Sequence, residues 1–167
     1  MLKIFNDLNL FFEDNYRRIH VREFAKLTNI SPPTASKLLE GFVTEGLLKK
    51  EIDKQHHLYY TNKESELFKS LQQVYWKIKL ESLIKYVEEN YLEATIILFG
   101  SANKTEIKKT SDLDIAIISS SKKQIKIKPF EKEIERPIQI FQFKTMKEIP
   151  KNLRKNVEKG YKLLDKK

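Results

Sequence analysis

The chain has no cysteine. Disulfides and thiolate metal sites are therefore excluded, and the redox compartment is left open. It also lacks any apolar run near the ~20 residues that a membrane-spanning helix needs. The opening Met1-Leu2-Lys3-Ile4-Phe5-Asn6-Asp7 is interrupted by acids and amides at once, so it does not read as a signal peptide. The expected location is cytoplasmic, with no membrane partner. Residues 63–91 contain neither glycine nor proline, which leaves nothing to break a helix there. What is present, 40% hydrophobic and 33% charged residues in a chain of 167, fits a soluble globular protein of one domain or two small ones.

Acids are scarce in one region only. Residues 1–62 carry nine Lys/Arg and eight Asp/Glu, residues 63–93 five and six, and residues 94–167 eighteen and nine. The whole excess of +9 thus falls in the last segment, where a basic field favours the approach of nucleotide or nucleic acid.

That segment contains Leu98-Phe99-Gly100-Ser101, a ten-residue spacer, and Asp112-Leu113-Asp114-Ile115-Ala116-Ile117-Ile118. Thr95 to Phe99 reads as a buried strand that stops at a glycine. Asp112 opens a second strand. Alternate residues of a strand share a face, so Asp112 and Asp114 point the same way, about 7 Å apart. Their repulsion costs on the order of a few kcal/mol at an effective dielectric of 20, and a divalent cation would remove it. Gly100 lets backbone approach a ligand closely. A helix starting at Ser101 would aim free N–H groups at an anion.

These residues resemble the signature of the polymerase-beta-like nucleotidyltransferases, in particular the small stand-alone kind called minimal nucleotidyltransferases. The resemblance implies that Gly100 and Ser101 bind nucleotide phosphates and that Asp112 and Asp114 are catalytic and hold Mg²⁺. The substrate would be ATP or another NTP, and the activity nucleotidyl transfer to an acceptor the sequence does not name. The active family carries a third carboxylate on the following strand. Here that position aligns with Gln139, whose neutral oxygen binds Mg²⁺ poorly and cannot act as a base. Glu131, Glu133 and Glu135 stay open as substitutes, and the two-ion site is expected to be incomplete.

Toward the N-terminus, Leu2, Phe5, Leu8 and Phe12 keep helical spacing, and a second helix runs from about Val21 to Leu27. Ser31 is a good N-cap with Pro32 at the first helical position. Ala35, Leu38, Leu39, Phe42 and Val43 then form one apolar stripe. Glu45-Gly46 stops that helix. Residues 47–52 and 57–61 read as a hairpin. Three helices and a hairpin resemble the winged helix-turn-helix of bacterial and archaeal regulators. By that analogy the third helix enters the major groove of duplex DNA, with Ser31, Thr34 and Lys37 on the helix and Lys54 on the wing as DNA-binding residues. Arg17, Arg18, Arg22, Lys37, Lys49, Lys50 and Lys54 are expected to share one face.

Residues 63–91 read as one long helix, or two with a break near Ile78 to Leu80. Tyr75 and Trp76 suit interdomain core or a dimer seam. A strand from Arg136 to Phe143 and a last helix reaching Leu164 close the chain. The expected fold class is α+β: a winged helix-turn-helix over 1–62, a connecting helix over 63–93, and a small mixed α/β nucleotidyltransferase domain over 94–167. The expected partners are duplex DNA and nucleotide, with a protein partner or homodimer also open. The alternative is a DNA-binding regulator or antitoxin-like protein whose nucleotidyltransferase domain is catalytically degenerate.

Overall fold

The structure, a computed structural model, describes residues 2–53, 56–121 and 123–166. Among them the chain forms seven α-helices and two sheets. It divides into two compact units, Met1–Leu71 with Thr105–Lys109, and Gln72–Lys104 with Thr110–Lys167. No helix among the described residues is long and apolar enough to cross a membrane.

The first unit starts with α1 (Lys3–Glu13), which buries Phe5, Leu8, Phe11 and Phe12. A three-residue strand follows, β1 (Arg18–His20), too short for sequence periodicity to register. Next come α2 (Val21–Thr28) and α3 (Pro32–Thr44). The start of α3 is built as its residues dictate: the Ser31 hydroxyl accepts a hydrogen bond from Thr34 N at 3.3 Å, and Pro32 occupies the first turn. Its buried stripe is Ala35, Leu39 and Phe42. Strands β2 (Leu48–Asp53) and β3 (His56–Thr61) pair antiparallel, and β1 adds to the free side of β3. Aromatic packing ties the helices together, with Phe11 against Phe24 and Phe12 against Phe68.

The segment Thr105–Lys109 is part of this unit through Asn15. Asn15 N donates to Ile107 O (2.8 Å), its side-chain oxygen accepts from Ile107 N (3.0 Å), and its amide donates to Phe11 O (2.8 Å). Ile107 is fully buried.

The basic residues of this unit do not form one face. Arg18 and Lys49 lie on the same side of the sheet through their common neighbour Tyr60. Lys50, the next residue along β2, points the other way and binds Glu40 (2.8 Å). Arg18 pairs with Glu51, Lys49 with Glu64, and Arg17 with Glu23.

Residues 63–93 hold two helices, α4 (Glu66–Lys79) and α5 (Glu81–Asn90), broken at Leu80. The boundary between the compact units falls inside α4, after Leu71.

The second unit is built on a sheet of order β6-β5-β4-β7. β4 (Ala94–Phe99) and β5 (Leu113–Ile118) are antiparallel, β6 (Ile138–Phe143) is parallel to β5, and β7 (Tyr161–Lys166) is antiparallel to β4. Between β5 and β6 lies α6 (Lys128–Ile134), and α7 (Lys151–Glu158) precedes β7. On one face Ile97, Phe99 and Ala116 pack with Ile149 and Val157. Tyr75 and Trp76 are buried, so they present no surface for a dimer seam.

The chain does not close on a helix reaching Leu164. α7 ends at Glu158 and residues 161–166 form a strand. Val157, Tyr161 and Leu164 happen to satisfy helical spacing, but Gly160 intervenes. A Cβ on Gly160 would run into the Ile97 side chain and the Leu98 carbonyl, so only glycine lets the chain turn this close to β4.

Candidate functional site

The end of β4 and the start of β5 are neighbours, with Phe99 opposite Asp114. Gly100 follows Phe99 with φ of +71°. A Cβ there would overlap the Asp114 carboxylate. Glycine is thus required twice, by the left-handed backbone and by the acid lying against it.

No helix starts at Ser101 to aim free N–H groups at an anion. Residues 100–105 form successive turns, with Lys104 N donating to Ser101 O. Thr105 takes φ of +55°, which bends the chain away before a helical ladder can form. The turn is held from outside. Gln72 donates to Ala102 O and Gln73 to the Asn103 side chain (2.8 Å). Asn103 in turn donates to Lys159 O (3.0 Å). The backbone around Ser101 is therefore fixed by α4 and by the end of α7, where a free loop would otherwise have to be ordered by its ligand.

Asp112 is exposed and stands just before β5, one residue short of the predicted strand start. Its approach is clamped as well. Arg136, itself buried, donates to Ser111 O (2.7 Å), and Leu113 N donates to Pro137 O (3.0 Å). Asp114 is half-buried on the face that also carries Phe99. Burial, and then the negative charge of Asp112, push its carboxyl above the usual range. Two hard oxygen donors, one desolvated and repelled by the other, suit a divalent cation.

Gln139 sits directly across from Asp114 on the parallel neighbour β6 and is exposed. Among the described residues no group of three acids or histidines is placed to hold a metal ion. The candidate substitutes are occupied or turned elsewhere. Glu131 accepts from Ile138 N (3.0 Å) and from Lys128 (2.9 Å), which holds its carboxyl below the usual range. Glu133 accepts from Ser82 (2.7 Å). Glu135 is the left-handed residue that ends α6.

In the first unit, Ser31, Thr34 and Lys37 are exposed along the start of α3. The Ser31 and Thr34 hydroxyls bond to each other at 2.8 Å, so both are already partly committed. Lys54 lies outside the described residues.

Sequence reasoning missed Arg136, Gln72, Gln73 and Asn103. They bind across about 25 to 56 residues, and no local pattern marks such a contact. Residues 80–164 match the family described as nucleotidyltransferase domain. No curated protein and no solved structure matches the chain.

Proposed function

This chain belongs to the nucleotidyltransferase domain family, and from that premise we propose that its second unit binds an NTP with Mg²⁺ and transfers the nucleotidyl group to an acceptor hydroxyl. The observation that carries the reading is the Asp114 carboxylate, desolvated, facing the charge of Asp112, and packed against Gly100. Asp112 and Asp114 would hold the cation. Gly100 and Ser101 would cradle the β- and γ-phosphates, on a turn that Gln72 and Asn103 keep in place. When bound, Mg²⁺ supplies the charge that neutralises the phosphates and orients them for in-line displacement. In the reaction the acceptor oxygen bonds to the α-phosphorus, the bond to the bridging oxygen breaks, pyrophosphate leaves, and the hydroxyl proton passes to solvent.

Gln139 limits this chemistry. It stands where a third carboxylate would face Asp114, and a neutral amide is a poor ligand for a second Mg²⁺. Slow transfer is the expected behaviour. The same observation favours a second reading, in which the domain senses nucleotide or holds a protein partner and the chain acts as a DNA-binding regulator or antitoxin-like protein.

For the first unit we propose a winged helix-turn-helix that binds duplex DNA through Ser31, Thr34, Lys37 and Lys54. The order of helices and strands and the capped, exposed start of α3 support it. The test of transfer uses labelled NTPs, with Mg²⁺ and with Mn²⁺, on wild type, Gln139→Asp and Gln139→Ala. A gain confined to Gln139→Asp supports the incomplete two-ion site. Fast wild-type transfer that Gln139→Ala leaves untouched contradicts it.

A further inference from the structure

Gln72, Gln73 and Trp76 share one side of α4, because a helix brings positions i, i+1 and i+4 within about 100° of one another. Gln72 and Gln73 hold the turn after Ser101, at the Ala102 carbonyl and the Asn103 side chain. Trp76 reaches the other half of the candidate site. Its ring centre lies 5.3 Å from the Arg136 guanidinium carbon, within the range of a cation–π contact. Ring and guanidinium are both buried, at 1% and 6% exposed, and such a contact strengthens out of water. The indole N–H has no hydrogen-bond partner among the described residues, so Trp76 meets Arg136 through its ring.

Arg136 and its neighbour Pro137 grip the chain on both sides of Asp112. Arg136 Nη1 donates to Ser111 O at 2.7 Å, in the peptide group before Asp112. Pro137 O accepts from Leu113 N at 3.0 Å, in the peptide group after it. With both flanking peptide groups held, Asp112 has little backbone freedom left. An acid on a loose chain loses that freedom when it takes up a cation. Here the loss is made on folding, which leaves more of the binding energy for the cation.

We propose that α4 sets the two halves of the site through separate positioning residues. Gln72 fixes the turn that takes the phosphates. Arg136, backed by Trp76, fixes Asp112 for the cation. The inference rests on the nucleotide reading above and adds a division of labour to it. Each residue acts through a backbone carbonyl, of Ala102 or of Ser111, and supplies no ligand atom itself. Loss of Arg136 should then fall on metal binding and loss of Gln72 on phosphate binding. A residue that only stabilises the fold would weaken both together.

The test uses the full chain and two titrations. Mn²⁺ without nucleotide, followed by electron paramagnetic resonance, reads the metal half. ATP in EDTA, followed by calorimetry, reads the phosphate half. The Asp112→Asn, Asp114→Asn double variant gives the Mn²⁺ baseline, and circular dichroism checks that each variant is folded. Arg136→Met should weaken Mn²⁺ binding about fivefold more than ATP binding, and Gln72→Met should show the reverse order. Arg136→Lys keeps a cationic donor and should recover part of the Mn²⁺ affinity. Trp76→Phe, a poorer ring for a cation, should follow Arg136→Met in direction. Four results would overturn the proposal: equal losses of both affinities in Arg136→Met and in Gln72→Met, no loss in either, Arg136→Lys no better than Arg136→Met, or a Trp76→Phe loss that falls on ATP. All four leave the nucleotide reading standing. Wild type that binds neither Mn²⁺ nor ATP would overturn that reading, and this inference with it.

Discussion

Gly100 concentrates the account of the site at the scale of one residue. Alanine there meets two penalties, the left-handed φ of +71°, worth about 1–2 kcal/mol, and overlap with the Asp114 carboxylate. Gly100→Ala should therefore lower stability by at least that amount in urea denaturation and abolish Mg²⁺-dependent nucleotide binding. Retention of both would show that Asp114 moves aside without consequence. Glu40 gives a second prediction, on pH. Hydrogen bonds from Lys50 (2.8 Å) and then Tyr59 (2.6 Å) hold its carboxyl below the usual range. A depressed folded-state value contributes stability that is present above the unfolded value of about 4.3 and lost as pH falls through the folded one. The Tyr59 phenol runs the other way: burial, then Glu40, raise it, so its contribution is complete below about pH 10 and fades above. Thermal melts should fall on the acid side in wild type and less so in Glu40→Gln. Equal acid sensitivity in both would contradict the assignment.

Elements are where sequence and structure agreed most and also parted. α3 was legible because its cap, proline and stripe are local and mutually consistent, and Ser31→Ala should cost about 1 kcal/mol if the Thr34 bond is the cap. β4 and β5 were legible as apolar runs bounded by glycine and acids. β7 was not, because Leu163 and Leu164 read equally well on a helix, and only the tight approach of Gly160 to β4 decides between them. β1 is three residues long and exists because β3 pairs with it. The turn at Ser101 is shaped in the same way, by Gln72, Gln73 and the Lys159 carbonyl binding it from elsewhere in the chain. Asn15 shows how far such contacts can matter. Its side chain alone satisfies the buried Ile107 N–H and bonds Phe11 O. Each group left unpaired costs about 1–3 kcal/mol. Asn15→Ala should accordingly lower the urea midpoint well beyond the shift of an exposed control such as Lys3→Ala, and equal shifts would contradict that role.

For the whole molecule, the charge asymmetry read from the sequence now has a chemical context. Residues 94–167 carry eighteen bases against nine acids, two of which are Asp112 and Asp114, and the same stretch of sequence holds the glycine-serine turn. A polyanion carrying its own cation meets both demands, the basic segment through its phosphates and Asp112 and Asp114 through the metal. Neither partner alone does so, because free nucleotide adds negative charge beside two acids. Binding should therefore be coupled, with each of ATP and Mg²⁺ raising the other's affinity. The direct measurement is calorimetric titration of ATP with and without Mg²⁺, on wild type and on the Asp112→Asn, Asp114→Asn double variant. The account predicts that Mg²⁺ strengthens ATP binding at least tenfold, about 1.4 kcal/mol, in wild type and has no such effect in the variant. Equal affinity in all four titrations would contradict it.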